Sequence, residues 1–423
     1  MEFLKCDIAI IGGGASGLMA AAAVARSGKK LKTVIFEHHL RTGKKLMATG
    51  NGRCNLTNTN ISAQAYFGSG AEDAERIISK YNSKYIIDYF EEIGLLVRTD
   101  SEGRVYPLSN HAASVLDCMR NFILSKSISE YCSTTVDKII LEKSGYTLLC
   151  KNLRVFAKGV VVACGGKASP KLSTNGTGYS LLKPMGIALS TLMPSLVNIP
   201  CSNSCLSLLK GLRIKGNVSL LANNNIMAVE KGEIQFANDA LSGICVFQLS
   251  RMVNEFFAEN TVKGKNTDTV LLSLDIMPEY TQQQCISMLL KRVSKMKNYQ
   301  ISNFFDGIFH KRIAQALYKE CRINSNRKVA DITKKEIYAL ANKLKNWRFT
   351  PSSPSSFENA QVTAGGVKAE EIDFASCESK KYKNLYIVGE LVDVDGLCGG
   401  YNLHWAWCSG IMAGENIVNS ISK

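Results

Sequence analysis

An α/β fold of Rossmann type, split in sequence by a β-rich and helical insertion, is predicted by three features of this 423-residue chain. Two short apolar runs, Ile8–Ile11 and Leu385–Val388, read as buried parallel strands, and each runs straight into glycine. They lie at opposite ends of the chain, so the ends read as two halves of one sheet domain. Between about 196 and 355 the alternation of strands and helices changes character, which marks an inserted unit.

The first element carries a dinucleotide-binding fingerprint, C-D-I-A-I-I-G-G-G-A-S-G over Cys6–Gly17. Gly12 allows the tight turn after the strand, Gly14 lets backbone approach a pyrophosphate, and Gly17 lets the next helix, Leu18–Ser27, pack on the sheet. Ala15 and Ser16 stand where that helix begins, and helix N-termini present unpaired N–H groups to phosphate. A second strand, Thr33–Phe36, ends at Glu37, twenty residues past Gly17. An acid there accepts hydrogen bonds from a ribose 2′-OH and favours an unphosphorylated ribose, as in FAD or NAD.

The C-terminal segment decides between these two. Gly389 and Glu390 follow the strand Leu385–Val388 at its carboxyl end, where ligands of open α/β sheets bind. Glu390 and Asp393 are placed to bond ribityl hydroxyls. Gly399-Gly400-Tyr401-Asn402 then opens a helix from about Leu403 to Val418, whose positive end suits the electron-rich N1/C2=O edge of a reduced flavin. FAD is therefore the expected cofactor.

The segment Lys44–Asn58, K-K-L-M-A-T-G-N-G-R-C-N-L-T-N, closely resembles the signature of the bile-acid-inducible-N type NAD(P)/FAD-dependent oxidoreductases, also called aminoacetone-oxidase-like flavoproteins. G-R-V-Y-P at Gly103–Pro107, V-V-A-C-G-G at Val161–Gly166, M-P-S-L-V at Met193–Val197, T-A-G-G-V at Thr363–Val367 and G-G-Y-N-L-H-W-A at Gly399–Ala406 resemble it in the same order. The resemblance implies an FAD-binding domain of the glutathione-reductase superfamily, with FAD held noncovalently. By position it adds Lys45, Thr49, Gly50, Arg53, Asn55, Gly165, Gly400 and Asn402 to the cofactor candidates, beside Gly399, Tyr401 and Leu403. Three places depart from the family pattern, Gly232–Ser250, Ser173–Tyr179 and Leu397-Cys398 beside the flavin glycines, and they bear on substrate more than cofactor.

The expected organisation is a first part of the FAD domain over 1–195, an inserted substrate or cap domain over 196–355, and the second part over 356–423. The insertion reads as β-rich over 196–276, with strands at 211–221, 226–236 and 269–275 and an Asn223-Asn224-Asn225 turn. Its helical part over 277–350 has helices at Gln282–Met296, Asn303–Cys321 and Lys334–Lys345, the last opened by the capping-box spacing Thr333–Glu336. Pro351–Ser356 reads as the return linker.

Composition narrows the class. With 46% hydrophobic residues the chain can bury large cores, and no apolar run of eighteen or more residues or charged-plus-apolar leader is read, so a cytoplasmic location is expected. Fourteen cysteines show no C-x-x-C, which argues for reduced, buried thiols and against both a metal site and a disulfide reductase. Cys398 alone stands beside the flavin glycines. No second G-x-G-x-x-G is present, so NAD(P)H is expected as a transient co-substrate. The net charge is +15, and Lys291–Arg348 holds fifteen Lys or Arg against four Asp or Glu. A solvated helical face is the preferred reading of that run over a nucleic-acid surface.

A flavin that delivers hydride to one carbon of an activated C=C needs an acid for the other. Tyr401, His404 and Tyr106 are the catalytic candidates, with His111 behind them, and Arg104 is a candidate anion or carbonyl ligand. The expected activity is NAD(P)H-dependent reduction of an activated double bond in a small hydrophobic substrate. The alternatives are an amine or aminoketone oxidase using dioxygen, an RNA-modifying flavoprotein, and a non-catalytic regulatory flavoprotein.

Overall fold

The computed structural model describes residues 2–172, 174–263 and 269–422; Ser173, the first residue of one divergent stretch, lies outside them. Internal contacts divide the chain into two units, Met1–Pro194 with Phe357–Lys423, and Ser195–Ser356.

The first unit is built on a parallel sheet. Its central strand β1 (Glu2–Ile11) pairs with β2 (Thr33–Phe36) on one side and with Leu153–Val162 on the other. Ser129–Tyr131 extends the sheet beyond β2, and Leu385–Ile387 extends it beyond Leu153–Val162, all in parallel. The register aligns Ile11 with Phe36 and Val162, and Val162 with Ile387. Both ends of the chain thus finish strands at one carboxyl edge, where Gly12, Glu37, Ala163 and Val388 emerge together. Hydrogen bonds from Gly12 N to Phe36 O (2.8 Å), Ala163 N to Ile11 O (2.8 Å) and Val388 N to Val162 O (3.2 Å) fix that edge.

Helix α1 (Ala15–Arg26) is buried from Ser16 to Ala25, because it lies under the C-terminal helix Tyr401–Ile421 as well as against the sheet. Its run of alanines permits close packing. A Cβ on Gly410 would stand 2.6 Å from Ser16 O, and one on Gly414 2.6 Å from Ala20 O, so these positions admit only hydrogen.

The second unit holds an antiparallel sheet in the order 199–200, 240–242, 225–236, 213–222, 270–275, 347–349. Asn223 and Asn224 both adopt left-handed φ (50° and 65°) at the hairpin tip, the geometry a two-residue turn requires. Trp347 packs against Phe236 and Phe349 in the core. Capping boxes open the helices Gln282–Lys295 and Lys334–Lys345 through Thr281/Gln284 and Thr333/Glu336.

Two expectations are corrected here. The stretch read as β-rich contains a helix, Ile244–Lys263, whose Cys245, Val246, Leu249 and Val253 are buried at helical spacing. Its β-branched and aromatic residues disguised that period. The expected helix Asn303–Cys321 begins only at Lys311. Gly307 has a φ of +81°, and the Arg292 guanidinium donates to the carbonyls of Phe304 and Asp306, holding the preceding turns out of helix.

Candidate cofactor site

At the fingerprint, the three glycines differ in what surrounds them. A side chain on Gly17 would overlap the Gly12 carbonyl, so the fold itself demands glycine there. At Gly14, its chain neighbours aside, no described atom stands within 4 Å of the place a Cβ would occupy, and its φ of −83° and ψ of −168° suit any residue. The gap sits at the N-terminus of α1, whose Gly14 cap offers no side-chain hydrogen bond to the first N–H groups. Ser16 is buried and Ala15 partly so.

Glu37 ends β2 with its carboxylate buried against the same loop. Oε2 accepts from Gly13 N and Oε1 from His39 N, both at 2.9 Å, and His38 Nδ1 lies 3.0 Å from Oε1. Burial pushes this carboxyl up, but the bonds from His38, His39 and Gly13 outweigh it and hold it below the usual range. A depressed folded pKa contributes stability above the unfolded value near 4.5 that is lost as pH falls through the folded value. Glu37→Gln is therefore expected to lower the thermal midpoint at pH 7 and to converge with wild type towards pH 3. A pH-independent gap in a melting series would contradict this.

The Lys44–Asn58 segment forms a second wall. Helix α2 (Lys44–Gly52) breaks at Thr49 (ψ 147°), after which Gly50 and Asn51 take left-handed φ of 57° and 56°. Lys45 Nζ reaches Glu390 Oε2 at 2.8 Å, and Glu390 Oε1 accepts from Thr363 N at 2.9 Å. Thr49 Oγ1 donates back to Leu46 O. Asn55 is buried with its Oδ1 unpartnered, and that oxygen lies 3.0 Å from a Cβ position on Gly400. Arg53 donates from Nε to Gly50 O (3.2 Å) and places its guanidinium 4.5 Å over the Tyr106 ring.

The C-terminal half closes on these. Gly389 donates to Ser409 Oγ (3.0 Å), accepts from Trp405 Nε1 (3.0 Å) and faces Ser16, so the two chain ends touch. Gly400, at φ 107°, caps the C-terminal helix against the Thr57 carbonyl, and Gly399 O accepts from Asn58 Nδ2 at 3.0 Å. Leu403 is partly buried in the first turn. Gly165, at φ 70°, lies beside the Thr174 methyl, one residue before Gly166, which faces Glu390.

Several candidates occupy other roles. His404 is fully buried, its Nδ1 2.8 Å from Thr57 Oγ1, and burial pulls its pKa down to about 3. Kept neutral by burial, the imidazole pins the helix to Thr57 through Nδ1, while its buried Nε2 has no partner among the described residues. His404→Leu is expected to leave any pH–rate midpoint between pH 5 and 9 in place; a moved midpoint would restore it as an acid. The Asn402 amide is spent on the loop, accepting from Gly396 N (2.8 Å) and donating to Gly396 O (2.8 Å) and Leu397 O (3.2 Å). The Tyr401 hydroxyl donates to Asn60 O at 3.5 Å. Arg104 is tied to Asp100 (2.8 Å) and Glu102 (3.0 Å), and burial pushes the Cys398 thiol up to about 11, so it carries no thiolate near neutrality. His111 caps the helix Ala112–Ser125. The Tyr106 hydroxyl makes no hydrogen bond among the described residues.

Thr57, Asn58, Thr363 and Ser409 were missed by sequence reasoning. The side-chain bonds of Thr57, Asn58 and Thr363 join segments about two to three hundred residues apart, that of Ser409 joins the C-terminal helix to Gly389, and only the quoted T-A-G-G-V and L-T-N stretches pointed near them. Among the described residues there is no group of three or more His, Cys, Asp or Glu that could hold a metal, and no helix is long and apolar enough to cross a membrane.

Comparison with known proteins agrees with this layout. The profile of the HI0933-like protein Rossmann domain matches residues 6–416. A 3-dehydro-bile acid delta(4,6)-reductase of Clostridium scindens is 35% identical over 408 residues, which cover 96% of this chain and 98% of the relative. A ribosomal RNA dihydrouridine synthase of Escherichia coli is 23% identical over 99% of this chain and 100% of its own. Among solved structures, the 3-ketosteroid delta1-dehydrogenase of Sterolibacterium denitrificans (TM-score 0.52, 12% identity, covering 98% of this chain and 100% of that one) shares the fold. So does the E. coli quinol fumarate reductase subunit FrdA (TM-score 0.53, 16% identity, 100% of this chain and 71% of that one).

Proposed function

Because this chain belongs to the HI0933-like Rossmann family of FAD-dependent oxidoreductases, we propose that it is an NAD(P)H-dependent reductase of an activated C=C bond in a small hydrophobic substrate. The observation that carries this reading is the 35% identity, over nearly both whole chains, to a reductase whose name specifies double bonds of a 3-keto bile acid.

The residues present fit FAD. The open gap at Gly14, the unpartnered buried Asn55 Oδ1 and the N-termini of two helices at one sheet edge are what a flavin dinucleotide needs. Gly14, Ala15 and Ser16 would hold its diphosphate, Glu37 the adenosine ribose, and Lys45 with Glu390 the ribityl chain. Gly399–Leu403 would face the ring. Bound FAD supplies two-electron hydride chemistry. The chain's own part is to orient the acceptor, exclude water and deliver a proton, and the unbonded Tyr106 hydroxyl is the side chain best placed for that last step. The inserted unit is proposed to carry substrate recognition, and NAD(P)H to act as a transient donor.

A second reading has its own support. The basic run over 291–348 and the full-length similarity to an rRNA dihydrouridine synthase favour an RNA substrate. The uridine C5=C6 bond is conjugated to a carbonyl, so the reaction class is unchanged. Anaerobic stopped-flow reoxidation of the reduced protein tests both. Fast reoxidation by 4-androstene-3,17-dione supports the first reading; reoxidation by an rRNA transcript and not by the enone overturns it in favour of the second.

A further inference from the structure

We propose that Arg53 is the positioning residue for Tyr106, holding the phenol as the proton donor and supporting the phenolate it leaves. This rests on the reductase reading above and assigns one of its steps to named atoms. Two observations carry it. The Arg53 guanidinium lies 4.5 Å over the Tyr106 ring, and its Nε is anchored to Gly50 O at 3.2 Å, so backbone fixes the cation. The Tyr106 hydroxyl is left without a hydrogen bond, while the ring edge lies 3.5 Å from a Cβ position on Gly50, beside Asn55 and hence Gly400.

The surrounding charges sharpen the assignment. Arg104 faces the same phenol but is neutralised by Asp100 and Glu102. Arg53 has no carboxylate within ion-pairing distance among the described residues, so its charge is the uncompensated one. Burial pushes the Tyr106 phenol up, Arg104 and then Arg53 pull it down, and Asp100 and Glu102, which offset Arg104, push it up by less. A cation over an aromatic face also restricts ring rotation.

In the proposed step, bound FAD reduced by NAD(P)H would supply the hydride, with both electrons, to the β-carbon of the double bond. The π electrons displaced towards the α-carbon take the proton from the Tyr106 hydroxyl. The O–H bond breaks, a C–H bond forms, and the phenolate is reprotonated by water. Arg53 touches neither reacting carbon and acts through the ring beneath it.

The test uses the FAD-loaded protein carrying tyrosine labelled with 13C at Cζ, with the Tyr106 signal assigned by its loss in Tyr106→Phe. Titration should show the Tyr106 midpoint raised by about one pH unit in Arg53→Met, and by less in Arg53→Lys, which keeps a cation. In single-turnover reoxidation by 2-cyclohexen-1-one, with rates taken per bound flavin, Tyr106→Phe should lose about a hundredfold or more and Arg53→Met about tenfold. A Tyr106 midpoint that stays in place in Arg53→Met overturns the proposal, as does full activity in Tyr106→Phe. Wild-type protein that binds FAD but is inert to every enone would sink the reductase reading alone, and the titration would still decide whether Arg53 controls Tyr106.

Discussion

Gly14→Val should fold normally and fail to hold FAD. The backbone at Gly14 is in the extended region, which valine accepts without strain, and, its chain neighbours aside, no described atom lies within 4 Å of the added carbon. Nothing in the folded chain therefore resists the substitution. A diphosphate seated against α1 would meet the isopropyl group, and the expected loss of FAD affinity is at least about a hundredfold, or roughly 2.7 kcal/mol. Circular dichroism and the melting point of flavin-free protein should match wild type, while FAD fluorescence quenching should vanish at concentrations that saturate wild type. A variant that retains full flavin would remove the N-terminal segment from the site.

Gly17→Val, three residues on, should do the opposite. Its Cβ would collide with the Gly12 carbonyl and press 3.2 Å from the Ala163 methyl, at the point where three strands end together. Overpacking of this kind costs about 1–3 kcal/mol or more, and here the obstructing atom is backbone that cannot step aside. The protein should become insoluble or lose at least about 5 °C in melting point whether or not FAD is added. A stable Gly17→Val protein with only its flavin missing would mean that this glycine serves the ligand and not the turn. The paired variants separate two duties that the motif G-x-G-x-x-G places in one string.

That contrast also shows where sequence is readable. The strands Ile8–Ile11, Thr33–Phe36 and Leu385–Val388 were legible because parallel strands buried on both faces must be continuous apolar runs. The fingerprint was legible because Gly12 and Gly17 answer local steric demands and Gly14 stands between them at the fixed spacing. The helix Ile244–Lys263 was not, since its apolar residues pack on a sheet that only the tertiary fold supplies. The protein partners of Asn402 and His404 were hidden for a related reason. Their chemistry suits a ligand, yet Asn402 is bonded to Gly396 and Leu397 and His404 to Thr57, partners that a one-dimensional reading cannot weigh. Tyr106 was named from the sequence through the G-R-V-Y-P stretch, but the Arg53 guanidinium over its ring emerges only when Arg53 and Gly50 are brought beside it.

The central claim is that the two ends of the chain build one flavin site that a nicotinamide nucleotide can reduce. Its most direct measurement is an anaerobic titration of the purified protein with NADPH and then NADH, followed through the flavin absorbance. The account predicts a yellow protein bleached by at least one of the two donors. A colourless protein that cannot be reconstituted with FAD would contradict it.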